Sequence, residues 1–187
     1  MQLSVQKIVL SGLLGAIAIF LALTRLGFIP VPNLSGNATI MHVPVILGAV
    51  LAGPLVGAIV GLIFGVFSFL QATVPLFADP LVSIPPRIVI GITAYYAYAA
   101  FRSRNQVLAL GAAAVVGTLT NTVLVLGVAV LRKYLPLEAV VPIIPQAVAE
   151  IVIATILVVA IGKAAARMNL AGSGETTAAT KAGVKTR

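Results

Sequence analysis

Residues 106–131 read QVLALGAAAVVGTLTNTVLVLGVAVL, an apolar run without a charged residue. Such a run limits the possible folds sharply, because a bilayer core about 30 Å thick is crossed by about 20 apolar residues in an α-helix. Comparable runs recur along the whole chain and are too long for the short alternating strands of an outer-membrane barrel. Only 9% of the residues are charged and 60% are hydrophobic, where a soluble domain carries about a quarter charged residues. The mean hydropathy of +1.16 agrees. The fold class read from these features is all-α, an integral membrane helix bundle.

Breaking the runs at Pro, Gly and charged residues predicts six transmembrane spans, at 7–28, 40–52, 54–74, 86–101, 106–131 and 143–164. The second and fourth are short, which is tolerated where neighbouring helices shield them. The N-terminus resembles a signal peptide, but its apolar core is too long and no A-x-A site follows it, so it is read as the first span. Residues 1–170 are therefore expected to form one transmembrane domain, and residues 171–187, which lack an apolar period, a flexible tail.

With six spans, one side of the membrane holds Lys7, Arg102, Arg104, Lys163, Arg167, Lys181, Lys185 and Arg187, and the other holds Arg25, Arg87, Arg132 and Lys133. The positive-inside rule then puts both termini in the cytoplasm. The net charge of +8 is largely this topology signal, so no nucleic-acid partner is implied. Two proline-rich segments, FIPVPNLSGNAT and PLFADPLVSIPP, face outward as long ordered loops, while the inward connections at Gly53-Pro54 and Arg102–Arg104 are minimal. Elaborate outer loops over plain inner ones suit a protein that captures a molecule from outside.

Cysteine is absent, which removes disulfides, thiol nucleophiles and iron–sulfur ligation. One histidine and four acidic residues are a poor basis for a metal site. No G-x-S-x-G or P-loop is present, so no catalytic residue and no cofactor are expected.

The polar residues inside the spans carry the functional signal, because an ionised side chain near the bilayer centre costs at least about 2.5 kcal/mol. Asn121 lies beside Thr118, Thr120 and Thr122, and Gln146 and Glu150, four residues apart, share a helix face. Glu150 sits roughly 12 Å from Pro142 at 1.5 Å per residue, in the outer half. Arg87, after Pro85-Pro86, is either a snorkelling anchor, an anion contact at a helix N-terminus, or a partner that neutralises Glu150. His42, preceded by Asn37 and Thr39, is either an interfacial histidine bonded to a loop carbonyl, a ligand contact or a proton carrier. Gly53, Gly57, Gly61 and Gly65 form a four-residue repeat that reads first as a helix-packing face, and Gly12-x-x-x-Ala16 and Ser11-x-x-x-Gly15 offer similar faces on the first span.

The order SGLLGAIA, then NATIMHVPVILGAVLAGPLVGAIVGLIFGVFS, then PPRIVIG resembles the substrate-binding S components of energy-coupling factor (ECF) vitamin transporters, over about residues 3–167. That resemblance implies a six-helix bundle in a bacterial cytoplasmic membrane that binds a vitamin under its outer loops. It also implies partners, the transmembrane T protein EcfT and two ATP-binding-cassette ATPases, with Gly12 and Ala16 as the docking face for the T protein. Family members usually carry Ala-x-x-x-Ala there, so Gly12 is a conservative departure. The block around His42 most resembles pantothenate-type members, with Asn37, Thr39, His42, Arg87, Asn121, Gln146 and Glu150 as substrate contacts. The scarcity of aromatics, with no Trp, argues against a flat vitamin that needs stacking. Alternatives are another vitamin (folate, pyridoxine-type, hydroxymethylpyrimidine or cobalamin), a proton-coupled transporter using Glu150 and His42, or a scaffold that binds partner helices through its glycine faces.

Overall fold

The computed structural model describes residues 4–30, 37–72 and 74–183. Helix α1, Val5–Leu23, starts at Ser4, whose Oγ accepts from the Lys7 amide at 3.4 Å. It stops earlier than the apolar pattern suggests because the chain turns at Arg25, which adopts a left-handed φ of 59°. A two-stranded antiparallel hairpin follows, β1 (Phe28–Pro30) against β2 (Asn37–Thr39), with Phe28 opposite Thr39. The first proline-rich segment, between α1 and α2, is therefore an ordered hairpin in part, a small β element among otherwise helical described residues.

Helices α2 (Val43–Ala52) and α3 (Pro54–Leu70) are separated only by Gly53, whose φ of +102° favours glycine, and Pro54 then occupies a first-turn position that needs no amide donor. A single turn, α4 (Pro80–Ser83), precedes α5 (Pro85–Phe101). Helix α6, Gln106–Leu131, is capped by Asn105, whose Oδ1 accepts from the Val107 amide at 2.8 Å. A 3₁₀ segment, Leu137–Ile143, leads into α7, Ile144–Gly183. The backbone of residues 171–183, expected from sequence as a flexible tail, continues this helix through alanines at 171, 178, 179 and 182.

Among the described residues, three segments are long and apolar enough to cross a membrane: Val5–Leu23, Gln106–Leu131 and Leu137–Arg167. Helices α2 and α3 are apolar but shorter. The shortness of α2 has a physical explanation in its position. It touches α1, α3, α5, α6 and α7, and Val43, Val45, Ile46, Leu47 and Ala49 are each at most 4% exposed. A helix buried from Val43 to Ala49 and exposed only at Leu51 near its C-terminus has little lipid-facing length to match.

The glycine repeat does what packing requires, with one exception. A methyl group added at Gly57 would lie 2.9 Å from the Gly91 Cα, one at Gly61 would fall onto the Arg87 carbonyl oxygen, and one at Gly65 would lie 2.9 Å from the Ser83 carbonyl. Gly57 and Gly61 let α5 lie directly against α3, and Gly65 does the same for the junction of α4 and α5. Gly53 belongs to the break between α2 and α3 and has nothing within 4 Å. On α1 the two small-residue faces separate: Ser11, Leu14, Gly15 and Ala18 are buried, with Gly15 against Ile63, while Gly12 and Ala16 are exposed.

The second proline-rich segment, between α3 and α5, is tied down by Asp79. Its carboxylate accepts from the Leu81 amide at 2.9 Å, from Arg132 Nε at 2.8 Å and from the Tyr134 hydroxyl at 3.3 Å. The Leu81 amide, followed by Arg132, holds the Asp79 carboxyl below the usual carboxylate range. A carboxyl whose folded value is lowered contributes stability above its unfolded value of about 3.9, and loses it as pH falls through the lower folded value. Protection of the Leu81 amide from hydrogen exchange is thus expected to persist down to about pH 4 and to be lost only below it. Loss of protection between pH 6 and pH 5 would assign the step to a different group.

Candidate functional site

The predicted polar residues fall into three neighbouring groups around the N-terminal end of α2. In the first, Glu150 of α7 is 5% exposed, and its Oε1 accepts from the Thr39 amide at 2.8 Å, from the Thr39 hydroxyl at 3.4 Å and from Gln146 Nε2 at 3.1 Å. The i,i+4 spacing of Gln146 and Glu150 makes that last contact possible. Glu150 thereby ties strand β2 to α7. Asn37 begins β2 opposite Pro30, and its side chain lies outside the described residues.

In the second group, His42 caps α2 by position and is 1% exposed. Its Nε2 and the Thr118 hydroxyl of α6 are hydrogen-bonded at 2.9 Å, while Nδ1 is buried without a partner. The expectation of an interfacial histidine bonded to a loop carbonyl is therefore corrected: His42 is deep inside and its partner is a helix side chain. One turn on, Asn121 Oδ1 is likewise buried without a partner, and Thr120 meets Thr93 of α5 at 3.0 Å.

Arg87 forms the third group. Its side chain is 4% exposed, so it does not snorkel to the surface. Nη1 donates to the Val82 carbonyl at 2.6 Å, and the guanidinium carbon lies 5.6 Å from the Phe64 ring centre and 5.3 Å from that of Phe77. Nε is buried without a partner. The suggested pairing of Arg87 with Glu150 is not formed; among the described residues the salt bridge is Arg132–Asp79. The reason is local: Glu150 is already engaged by β2 and Gln146, and Arg87 is held by α4 and two rings.

Sequence reasoning did not anticipate Phe64, Phe77 or Val82 around Arg87, nor Thr118 as the partner of His42. The phenylalanines are ordinary in an apolar chain and carry no spacing signal. Asp79 was legible in principle, since Asp-Pro before a short run is a helix-start pattern.

His42 Nδ1, Arg87 Nε and Asn121 Oδ1 come from three helices, and each is buried without a hydrogen-bond partner. Leaving such a group unsatisfied costs about 1–3 kcal/mol, so this arrangement is suited to a ligand that supplies the missing partners. Two surface grooves lie elsewhere, along α1 and α3. One, of about 290 Å³, is bordered by Ile8, Ser11, Gly12, Ile59 and Ile63, and the other, of about 340 Å³, by Ile19, Leu62, Ile63, Val66, Phe67 and Leu70.

Comparison with known proteins places this geometry in a family. The chain is 32% identical over 108 residues to the pantothenic acid transporter PanT of Lactococcus lactis subsp. cremoris (strain MG1363), covering 47% of this chain and 54% of that protein. The match thus spans about half the length of this curated relative. A solved structure described as "Structure and mechanism of the S component of a bacterial ECF transporter" has the same fold, with a TM-score of 0.64 at 20% identity, over 87% of this chain and 96% of that one. The family model for the ECF transporter substrate-specific component matches residues 6–162. A mostly helical chain with helices long and apolar enough to cross a membrane, matched over most of its length by that model, is a membrane-embedded transport subunit and belongs to the ECF transporter substrate-specific components.

Proposed function

We propose that this chain is the high-affinity substrate-binding subunit for uptake of a water-soluble vitamin, with pantothenate as the substrate. The observation that carries the substrate choice is Arg87, a buried guanidinium with a free Nε and no carboxylate beside it among the described residues. Pantothenate brings a carboxylate for Arg87, and an amide and hydroxyls for Asn121 Oδ1 and His42 Nδ1. The likeness to PanT over part of the chain points the same way. In this reading Thr39, Gln146 and Glu150 hold the first outer segment over the ligand, and Asn37 stands at its edge.

The remaining parts of the proposal concern assembly. Six spans place both termini in the cytoplasm of a bacterial cell membrane, with α2, α3 and α5 as the shorter spans. Gly12 and Ala16, exposed on α1 beside the smaller groove, form the docking face for a transmembrane T protein that carries two ATP-binding-cassette ATPases. Small residues on a lipid-facing helix allow a partner helix to approach closely. Transport energy comes from those ATPases.

Calorimetry on the purified chain in detergent, without ATP, is expected to show pantothenate binding. Liposomes are expected to accumulate pantothenate with ATP only when the T protein and both ATPases are present. Ion-coupled uptake by the chain alone would replace this reading with a proton-coupled transporter working through Glu150 and His42.

A further inference from the structure

Arg87 is enclosed from two directions by different parts of the chain. Phe64 lies on α3, inside the bundle, and is 5% exposed. Phe77 lies in the segment between α3 and α5, which includes α4, and is half-buried, so its ring covers part of the guanidinium from a second element. That segment is not free to drift. The Ser83 hydroxyl donates to the Phe77 carbonyl at 2.6 Å, and Asp79, two residues on, is held by Arg132 and Tyr134. The Val82 carbonyl that accepts from Arg87 belongs to the same segment.

A cation over an aromatic face gains about 2 kcal/mol or more when desolvated, still far less than bulk hydration provides. A guanidinium with two rings and one carbonyl is therefore only partly compensated. When a ligand fills the site, a carboxylate completes the compensation, while a neutral group of the same shape leaves a buried charge unpaired. Water reaching the guanidinium would remove that penalty, and with it the discrimination.

From this geometry we infer that Phe77 is a specificity-determining residue: by covering part of the Arg87 guanidinium, it makes the protein prefer a carboxylate ligand over a neutral ligand of the same shape. The inference rests on the reading of Arg87 as the carboxylate contact. Phe77 acts through Arg87 and is a positioning residue. Leucine at 77 keeps much of the apolar volume without the aromatic face, and alanine removes both.

Calorimetry with the full chain would compare two probes, pantothenate and the analogue in which its carboxylate is a primary alcohol. Wild-type protein is expected to prefer the acid strongly, and Phe77→Ala to lower the acid-to-alcohol ratio about tenfold, with Phe77→Leu in between. A general loss of folded protein lowers both affinities together and leaves the ratio unchanged, so the ratio isolates the proposed role. Should Phe77→Ala fail to fold in detergent, Phe77→Leu carries the test. Phe77 variants that keep the wild-type ratio, while Arg87→Ala abolishes it, overturn the inference and leave the carboxylate reading standing. An unchanged ratio in Arg87→Ala, or wild-type protein without a preference for the acid, overturns both.

Discussion

Arg87→Ala is expected to weaken pantothenate binding by roughly 100-fold or more, about 3 kcal/mol, the order lost when one partner of a buried charge-assisted contact is truncated. The size follows from burial. At 4% exposure the guanidinium is shielded from water, so a carboxylate bound to it gains far more than one bound to a surface cation. The appropriate control is Lys133→Ala, because Lys133 is exposed on the segment after α6. Arg132 is a poor control, since its Nε holds Asp79 at 2.8 Å and its loss would loosen the segment that carries Phe77 and Val82. Isothermal titration of the three proteins decides the matter, and an Arg87→Ala affinity within threefold of wild type would remove the arginine from the site.

Gly61→Val is expected to be the most damaging substitution for the bundle itself. Even the first carbon of the new side chain would collide with the Arg87 carbonyl oxygen, and the neighbour that must yield is helix backbone rather than a flexible side chain. Overpacking typically costs about 1–3 kcal/mol, and an immovable neighbour puts this case at or above the upper end. A fall in melting temperature of about 10 °C is the corresponding scale. Because the displaced backbone belongs to Arg87, ligand binding should fail even in the fraction that remains folded. Gly127→Ala provides the comparison, since nothing lies within 4 Å of a methyl group there. Thermal melts of the two variants in the same detergent, together with binding by the folded fraction, test both claims. A Gly61→Val protein that melts like wild type would mean that α3 and α5 can separate without loss.

The two expectations show how far residue pattern reaches. Four glycines at intervals of four identify a packing face from sequence alone, but which helix packs there depends on the tertiary arrangement. The structure assigns that face to α5 through Gly57 and Gly61, sets Gly65 against the junction of α4 and α5, and gives Gly53 to the helix break instead. Similarly, the sequence of α1 offers two small-residue faces without choosing between them. Packing against α3 buries the one with Ser11 and Gly15 and leaves Gly12 and Ala16 exposed.

Sequence alone was sufficient for the helical class, for the helix positions in the long apolar runs, and for singling out the few polar residues that interrupt those runs. Those features depend on local composition: apolar length set against bilayer thickness, Pro and Gly as breaks, and the cost of placing polar groups in lipid. Tertiary structure alone decided the partners. Glu150 binds Thr39 rather than Arg87, His42 reaches Thr118 rather than a loop carbonyl, and Arg87 lies between two phenylalanines that carry no pattern of their own. Each of these contacts joins residues from different elements, and the distances between them are set by how closely helices pack, which glycine and core side chains at other positions control.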